Sequence, residues 1–179
     1  DASSEEDLRA LVGRIELFEH LEDDELALLT ATIARRTYEA GDMLIKRGAG
    51  GDSMFILVEG LVYVYADVAG DGQELKVAQI VPGQFFGEMS LLTGEARSAT
   101  ITAASDAVAY EIGKDAMATL LQRRPELAEV MSGIIAERKL RNEQALAEAS
   151  CEEKAEHKTS VAGQILGAMR DFFRGVLSP

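Results

Sequence analysis

Leu8, Leu11, Val12, Ile15 and Phe18 recur at spacings of three and four, which places them on one face of a helix. Ser3 or Ser4 can cap that helix, and the acids in its first turn suit the helix dipole. A second helical pattern, DDELALLTATIARR, starts near Asp23 and turns Leu26, Leu29 and Ile33 inward. From Tyr38 to Ile112 the period changes. The runs MLIK, SMFILVEG, LVYVYADV, ELKVAQIV, ATITAA and AVAYEI are short and apolar or alternating, and the sequences AGD, GAGGD, AGDG and VPG separate them. Glycine in such turns supplies positive φ without a steric penalty, so the stretch reads as all-β, a roll or jelly-roll.

After Ile112 the period is helical again. KDAMATLLQ gives a short helix, and Pro125 suits the first turn of a long one whose stripe is Leu127, Val130, Met131, Ile134, Ile135 and Leu140. A charged stretch without apolar period follows, and then Ile165, Met169, Phe172, Phe173 and Val176 share a final helical face. These shifts predict an N-terminal helical segment over 1–36, a β-roll over 37–113 and helices over 114–147. A linker over 148–160 and an amphipathic helix over 161–178 complete the chain. Leaving Phe172 and Phe173 in water would forfeit ~1.5–3 kcal/mol each, so that helix is expected to dock on its own domain or on a neighbouring subunit, in a homo-oligomer.

Composition narrows the chemistry. A chain of 179 residues with 47% hydrophobic content holds one domain plus helical additions, and no apolar run spans a bilayer. It opens at Asp1 without Met or a leader, which reads as a piece of a longer protein. The net charge of -13 opposes direct nucleic-acid binding, which needs clustered Lys and Arg. Cys151 is the only cysteine, consistent with a reducing, cytoplasmic setting. The two histidines, His20 and His157, lie outside the β region, so a metal-dependent enzyme on a jelly-roll is disfavoured, and no nucleophile–base pair appears. The chain is read as a non-enzyme with no metal site.

The stretch FFGEMSLLTGEARSATITA, from Phe85 to Ala103, carries the chemistry. Gly87 allows close backbone approach, and Glu88 to Leu92 can form one helical turn whose free N–H groups favour an anion. Arg97 lies nine residues after Glu88 and can fork onto two phosphate oxygens. A carboxylate beside a phosphate makes sense when it accepts from a hydroxyl, and a ribose 2′-OH with one phosphate charge suits both residues. A bare surface ion pair would stabilise by only ~0–1 kcal/mol and does not require this arrangement.

These residues resemble the cyclic nucleotide-binding domains of catabolite activators, kinase regulatory subunits and gated ion channels. The resemblance covers about residues 10–147 and includes Gly41, Gly48, Gly60 and Gly83. It implies an antiparallel eight-stranded β-roll, mainly β within an α+β chain, flanked by N-terminal helices and a long C-terminal helix. A phosphate-binding cassette is expected over 85–100, with cAMP or cGMP as ligand. Glu88 then takes the ribose 2′-OH, while Arg97 and the amides near Met89 and Ser90 take the phosphate. Phe86, Gly87 and Ala99 complete the cassette. Ser98 sits where threonine tends to accompany cGMP and alanine cAMP, so it leaves the base open. Val64 and Ala78 would line the base, and Arg138 would close over it as a lid. The likeness to bacterial channel domains implies the cytosolic regulatory domain of a membrane-embedded ion channel. The alternative is a sensor module of a transcription regulator or a stand-alone signalling protein.

Overall fold

Two sheets closing on each other let the apolar runs share one core. The computed structural model describes residues 2–67, 70–144 and 151–174, with side chains at 5–67, 70–141 and 161–174. Eight antiparallel strands form two four-stranded sheets among the described residues. One orders β1 (Ala34–Tyr38), β8 (Ala107–Gly113), β3 (Ser53–Glu59) and β6 (Phe85–Phe86). The other orders β2 (Met43–Ile45), β7 (Thr100–Ala103), β4 (Val62–Ala66) and β5 (Leu75–Ile80). The expected eight-stranded roll is therefore present. β1 and β6 were not among the six runs: β1 is mostly exposed and polar, and β6 is only two residues long.

Phe55, Leu57 and Phe86 from one sheet meet Ile45, Val62, Ile80 and Ile101 from the other in a common core. β3 is buried on both faces, because Met54 and Ile56 point the opposite way and are also sequestered. The helix α3 (Glu88–Thr93) packs on this strand.

The N-terminal pattern breaks where a helix former is missing. α1 (Ala2–Gly13) stops at a glycine, and a 3-10 turn over Glu16–Phe18 carries Leu17 and Phe18 into the interior. α2 (Asp23–Thr30) starts as expected. Its capping box pairs the Glu22 and Glu25 side chains with each other's backbone N–H. It ends at Thr30, not at Arg36. Thr30 donates its hydroxyl to the Leu26 carbonyl, and the β-branched Thr32 and Ile33 favour leaving the helix, so Ala34 to Arg36 enter β1.

The chain divides into two compact units, Asp1–Met117 and Ala118–Pro179, with the boundary inside α4 (Lys114–Arg123). In the second unit α5 (Leu127–Gln144) packs with α6 (Cys151–Phe172). The buried line on α5 includes Ala128, Ser132 and Ala136 between the larger Leu127, Met131 and Ile135. Val130 and Ile134, expected inward, are half-buried on its flank. On α6, Val161, Ile165, Met169 and Phe173 are buried at intervals of four, which gives the expected apolar face a docking partner in α5.

α6 begins ten residues before Val161, so 151–160, read as linker, is helical. Its Glu, Lys and Ala content supports a helix through propensity even without an amphipathic period. Residues 148–150 and Val176 lie outside the described residues. Among the described residues no helix is long and apolar enough to cross a membrane.

Gly60, at the β3–β4 turn, has φ +92°, and a Cβ there would run into the Asp106 carbonyl and lie 2.8 Å from Ala107 Cα. Gly41 has a similar φ of +94° but open space around it. Gly60→Ala should lower the unfolding free energy by ~2–4 kcal/mol and Gly41→Ala by only ~1–2 kcal/mol, compared by urea titration. Equal losses would mean that strain alone, without the clash, accounts for Gly60.

Candidate functional site

β6 delivers the chain to Gly87, whose φ of +78° caps α3 in the left-handed region, and Gly94 closes the helix in the same region. Leu91 and Leu92 bury the inner side of α3, which holds the turn in place. Its first N–H groups lack upstream helical carbonyls, as in any helix start.

Arg97 follows on a segment fastened to the β2–β3 loop from both sides. Its N–H donates to the Ala49 carbonyl at 2.9 Å, and its own carbonyl accepts from Gly48 N–H at 2.8 Å. Arg97 is only 8% exposed. Nη1 donates to the carbonyls of Ser53 (2.7 Å) and Gly87 (3.0 Å), and Nη2 donates to Ser53 Oγ (3.1 Å). Its Cζ lies 5.9 Å from the centre of the Phe55 ring. Burial pushes the guanidinium down from its ordinary value, opposed by the fields of Glu111, Asp52 and Glu88.

Two glycines make room for this group. A Cβ at Gly87 would lie 2.8 Å from Nη1, and one at Gly51 would lie 2.5 Å from Nε and 2.6 Å from Nη2. A guanidinium has five N–H donors. The described bonds use both on Nη1 and one on Nη2. Ser53 spans the two Nη atoms and so occupies the end of the fork. The remaining Nε–H and Nη2–H lie along its side, the edge that takes a carboxylate or phosphate in bidentate fashion.

Arg97 lines a pocket of about 80 Å³, room for a few water-sized groups. Gly87, Glu88, Met89 and Ser90 form one wall, and Ser98 and Ala99 continue from Arg97. Ile45 and Ile101 supply an apolar floor. The donor set fits a small anion: one cation with two N–H groups not used by the described bonds, helix-start amides and a carboxylate able to accept from a hydroxyl. Seven expected site residues therefore converge.

The other four are elsewhere. Phe86 is 3% exposed, in the core, with its ring stacked on Phe55 at 5.3 Å. Val64 and Ala78 do not line the pocket, but they pair across β4 and β5, and Val64 pairs on its other side with Ile101. Paired residues share a sheet face, so the three form a row leading from the pocket floor. Arg138 lies on α5 in the second unit.

Sequence reasoning missed Ser53, Gly51, Ile45 and Ile101. The GAGGDS segment was readable as a turn, but its closeness to Arg97 depends on long-range pairing. It also missed an ionic cluster beside Ala99. Arg47 meets Asp67 Oδ2 and Glu74 Oε1, each at 3.1 Å, and Thr100 donates to Glu74 at 2.9 Å while accepting from Arg47 N–H. Arg47 foremost, with the N–H groups of Gly72 and Gly70, holds the Asp67 carboxyl below the usual carboxylate range.

Comparison with known proteins agrees with this geometry. Residues 35–124 match the model of the cyclic nucleotide-binding domain. The chain is 33% identical over 129 residues to a cyclic nucleotide-gated potassium channel of Mesorhizobium japonicum, covering 72% of this chain and 34% of that protein. It is 31% identical over 122 residues to the cyclic AMP receptor protein of Thermus thermophilus, covering 68% of this chain and 56% of the relative. The N-terminal domain of a transcriptional regulator from Streptomyces coelicolor superposes with a TM-score of 0.62 at 30% identity, covering 79% of this chain and 98% of that one. The chain thus spans about a third of the length of the channel and a little over half of that of the receptor. With the cassette glycines, the buried arginine and the eight-stranded roll all in place, the chain belongs to the cyclic nucleotide-binding domain family.

Proposed function

We propose that this chain binds a cyclic mononucleotide, cAMP or cGMP, and couples that binding to movement of its C-terminal helix. The observation that carries the reading is Arg97, a buried cation whose Nε–H and second Nη2–H are not used by the described bonds, lining a pocket together with Gly87, Glu88, Met89, Ser90, Ser98 and Ala99. The phosphate takes that edge and the α3 amides, and Glu88 accepts from the ribose 2′-OH. The pocket takes this polar end of the ligand. The base extends along the row from Ile101 to Val64 and Ala78. Arg138 keeps the part of lid that the resemblance implies, and α5 is the output. Ligand shifts its position only to the extent that it binds one arrangement more tightly than the other.

The parent is assigned as a bacterial ion channel, with this domain on the cytosolic side, supported by the likeness to the Mesorhizobium channel. The likeness to the Thermus receptor and the Streptomyces regulator favours a second reading, the sensor of a transcription regulator. Several apolar helices encoded upstream of Asp1 would support the channel, and a DNA-binding domain in the parent would sink it.

Calorimetry with cAMP and cGMP tests the site. Arg97→Ala should weaken binding by ~2–5 kcal/mol, as when one partner of a buried charged pair is removed, and unchanged affinity would remove its phosphate role. Glu88→Ala should cost ~1.5–3 kcal/mol with the ribose nucleotide and almost nothing with its 2′-deoxy analogue; equal losses with both would detach Glu88 from the hydroxyl. Gly51→Ala should displace the guanidinium and weaken binding at least tenfold, about 1.4 kcal/mol. Gly50→Ala, with nothing within 4 Å of its Cβ position, should bind normally.

A further inference from the structure

The register of three strands builds a polar line that ends on Arg97. Phe55 pairs with Glu111 and Arg36 pairs with Ala109. Ser53 is two residues from Phe55, and Ala109 is two from Glu111, so Arg36, Glu111 and Ser53 share one sheet face as diagonal neighbours. The contacts follow. Arg36 Nη2 donates to Glu111 Oε1 at 2.9 Å, and Ser53 Oγ lies 3.2 Å from Glu111 Oε2. Ser53 Oγ also lies 3.1 Å from Arg97 Nη2.

Chemistry fixes the direction of these bonds. A guanidinium only donates and a carboxylate only accepts, so the one Ser53 hydroxyl proton goes to Glu111 and its lone pair faces Arg97. Neither Ser53 nor Glu111 lines the pocket.

We infer that Ser53 and Glu111 are positioning residues for nucleotide binding: Glu111 orients the Ser53 hydroxyl, which holds the end of the Arg97 fork and leaves its side edge for the phosphate. Without an acceptor at 111 the hydroxyl can rotate its proton towards the guanidinium and lose the bond. Arg36 fixes the carboxylate from the other side. What matters at 111 is an acceptor, and at 53 a hydroxyl. This inference rests on the reading of Arg97 as the phosphate ligand.

Calorimetry with cAMP and cGMP on this chain separates the two. No heat from the wild-type protein with either nucleotide would overturn the binding reading itself. If the wild type binds, Ser53→Ala and Glu111→Ala should weaken affinity about five- to twentyfold. The conservative Ser53→Thr and Glu111→Gln should stay within about threefold, because each retains the group required. A wild type that binds, with Ser53→Ala and Glu111→Ala unchanged or tighter, would overturn the positioning role and leave the site intact. Ligand-free melting temperatures identify any variant whose fold is lost. For folded variants the deciding measurement is coupling. In an Arg97→Lys background, where the ammonium cannot use the fork, Ser53→Ala should cost less than about twofold. An equal loss in both backgrounds would show that Ser53 acts on the domain at large and would also overturn the inference.

Discussion

A buried cation has to be surrounded by acceptors, since removing it from water without them costs several kcal/mol. Arg97 is such a cation, and much of the first unit is arranged to hold it. The Ser53 carbonyl and hydroxyl hold the end of its fork, the Gly87 carbonyl takes the other Nη1–H, the Phe55 ring centre lies 5.9 Å from Cζ, and two glycines clear the space that Cβ atoms would fill. None of those acceptors carries a charge. Glu111, the carboxylate whose field acts most on it, connects to it through the Ser53 hydroxyl. A direct ion pair would compete with an anionic ligand for the same donors, whereas neutral acceptors at one end leave the positive charge expressed at the other.

This arrangement explains why glycine appears at both sides of the site for different reasons. Gly87 needs its left-handed φ to start α3 and also lets Nη1 approach. Gly51 has no positive φ and is required only by proximity, because a side chain there would occupy the guanidinium's position. The β2–β3 loop is tied to Arg97 by two backbone hydrogen bonds, so the loop and the cassette fix each other. The Arg47 cluster then secures the far side of the same loop to β7 and the β4–β5 turn.

Local signals in the sequence were enough for the cassette and for most strands. Glu88, Ser90, Arg97 and Ser98 lie within a dozen residues, and the short helix plus strand brings them together without long-range information. β1 was hidden because its exposed ARRTY run has no apolar alternation, and α2 was read too long because Ala and Arg continue a helical pattern past a β-branched stop. Phe86 shows the converse limit. It lies within the expected cassette, yet two-residue alternation turns its ring into the core, where Phe55 meets it. Ser53 and Glu111 were out of reach because their relation to Arg97 exists only through strand register, which a single-residue slip would reverse.

The same register bears on what ligand binding can move. The end of the fork is bound to Ser53 on β3, which lies between β8 and β6 in its sheet and is buried on both faces, so that anchor has little freedom. The remaining Nη1 bond goes to the Gly87 carbonyl, at the start of a six-residue helix held mainly by two leucines. In the proposed complex, a phosphate on the side edge would leave the Ser53 bonds in place and bring negative charge to the α3 amides beside Gly87. Any rearrangement on binding therefore falls first on α3, the lighter of the two anchors. On that reading Arg97 would be the fixed point and α3 the element that shifts.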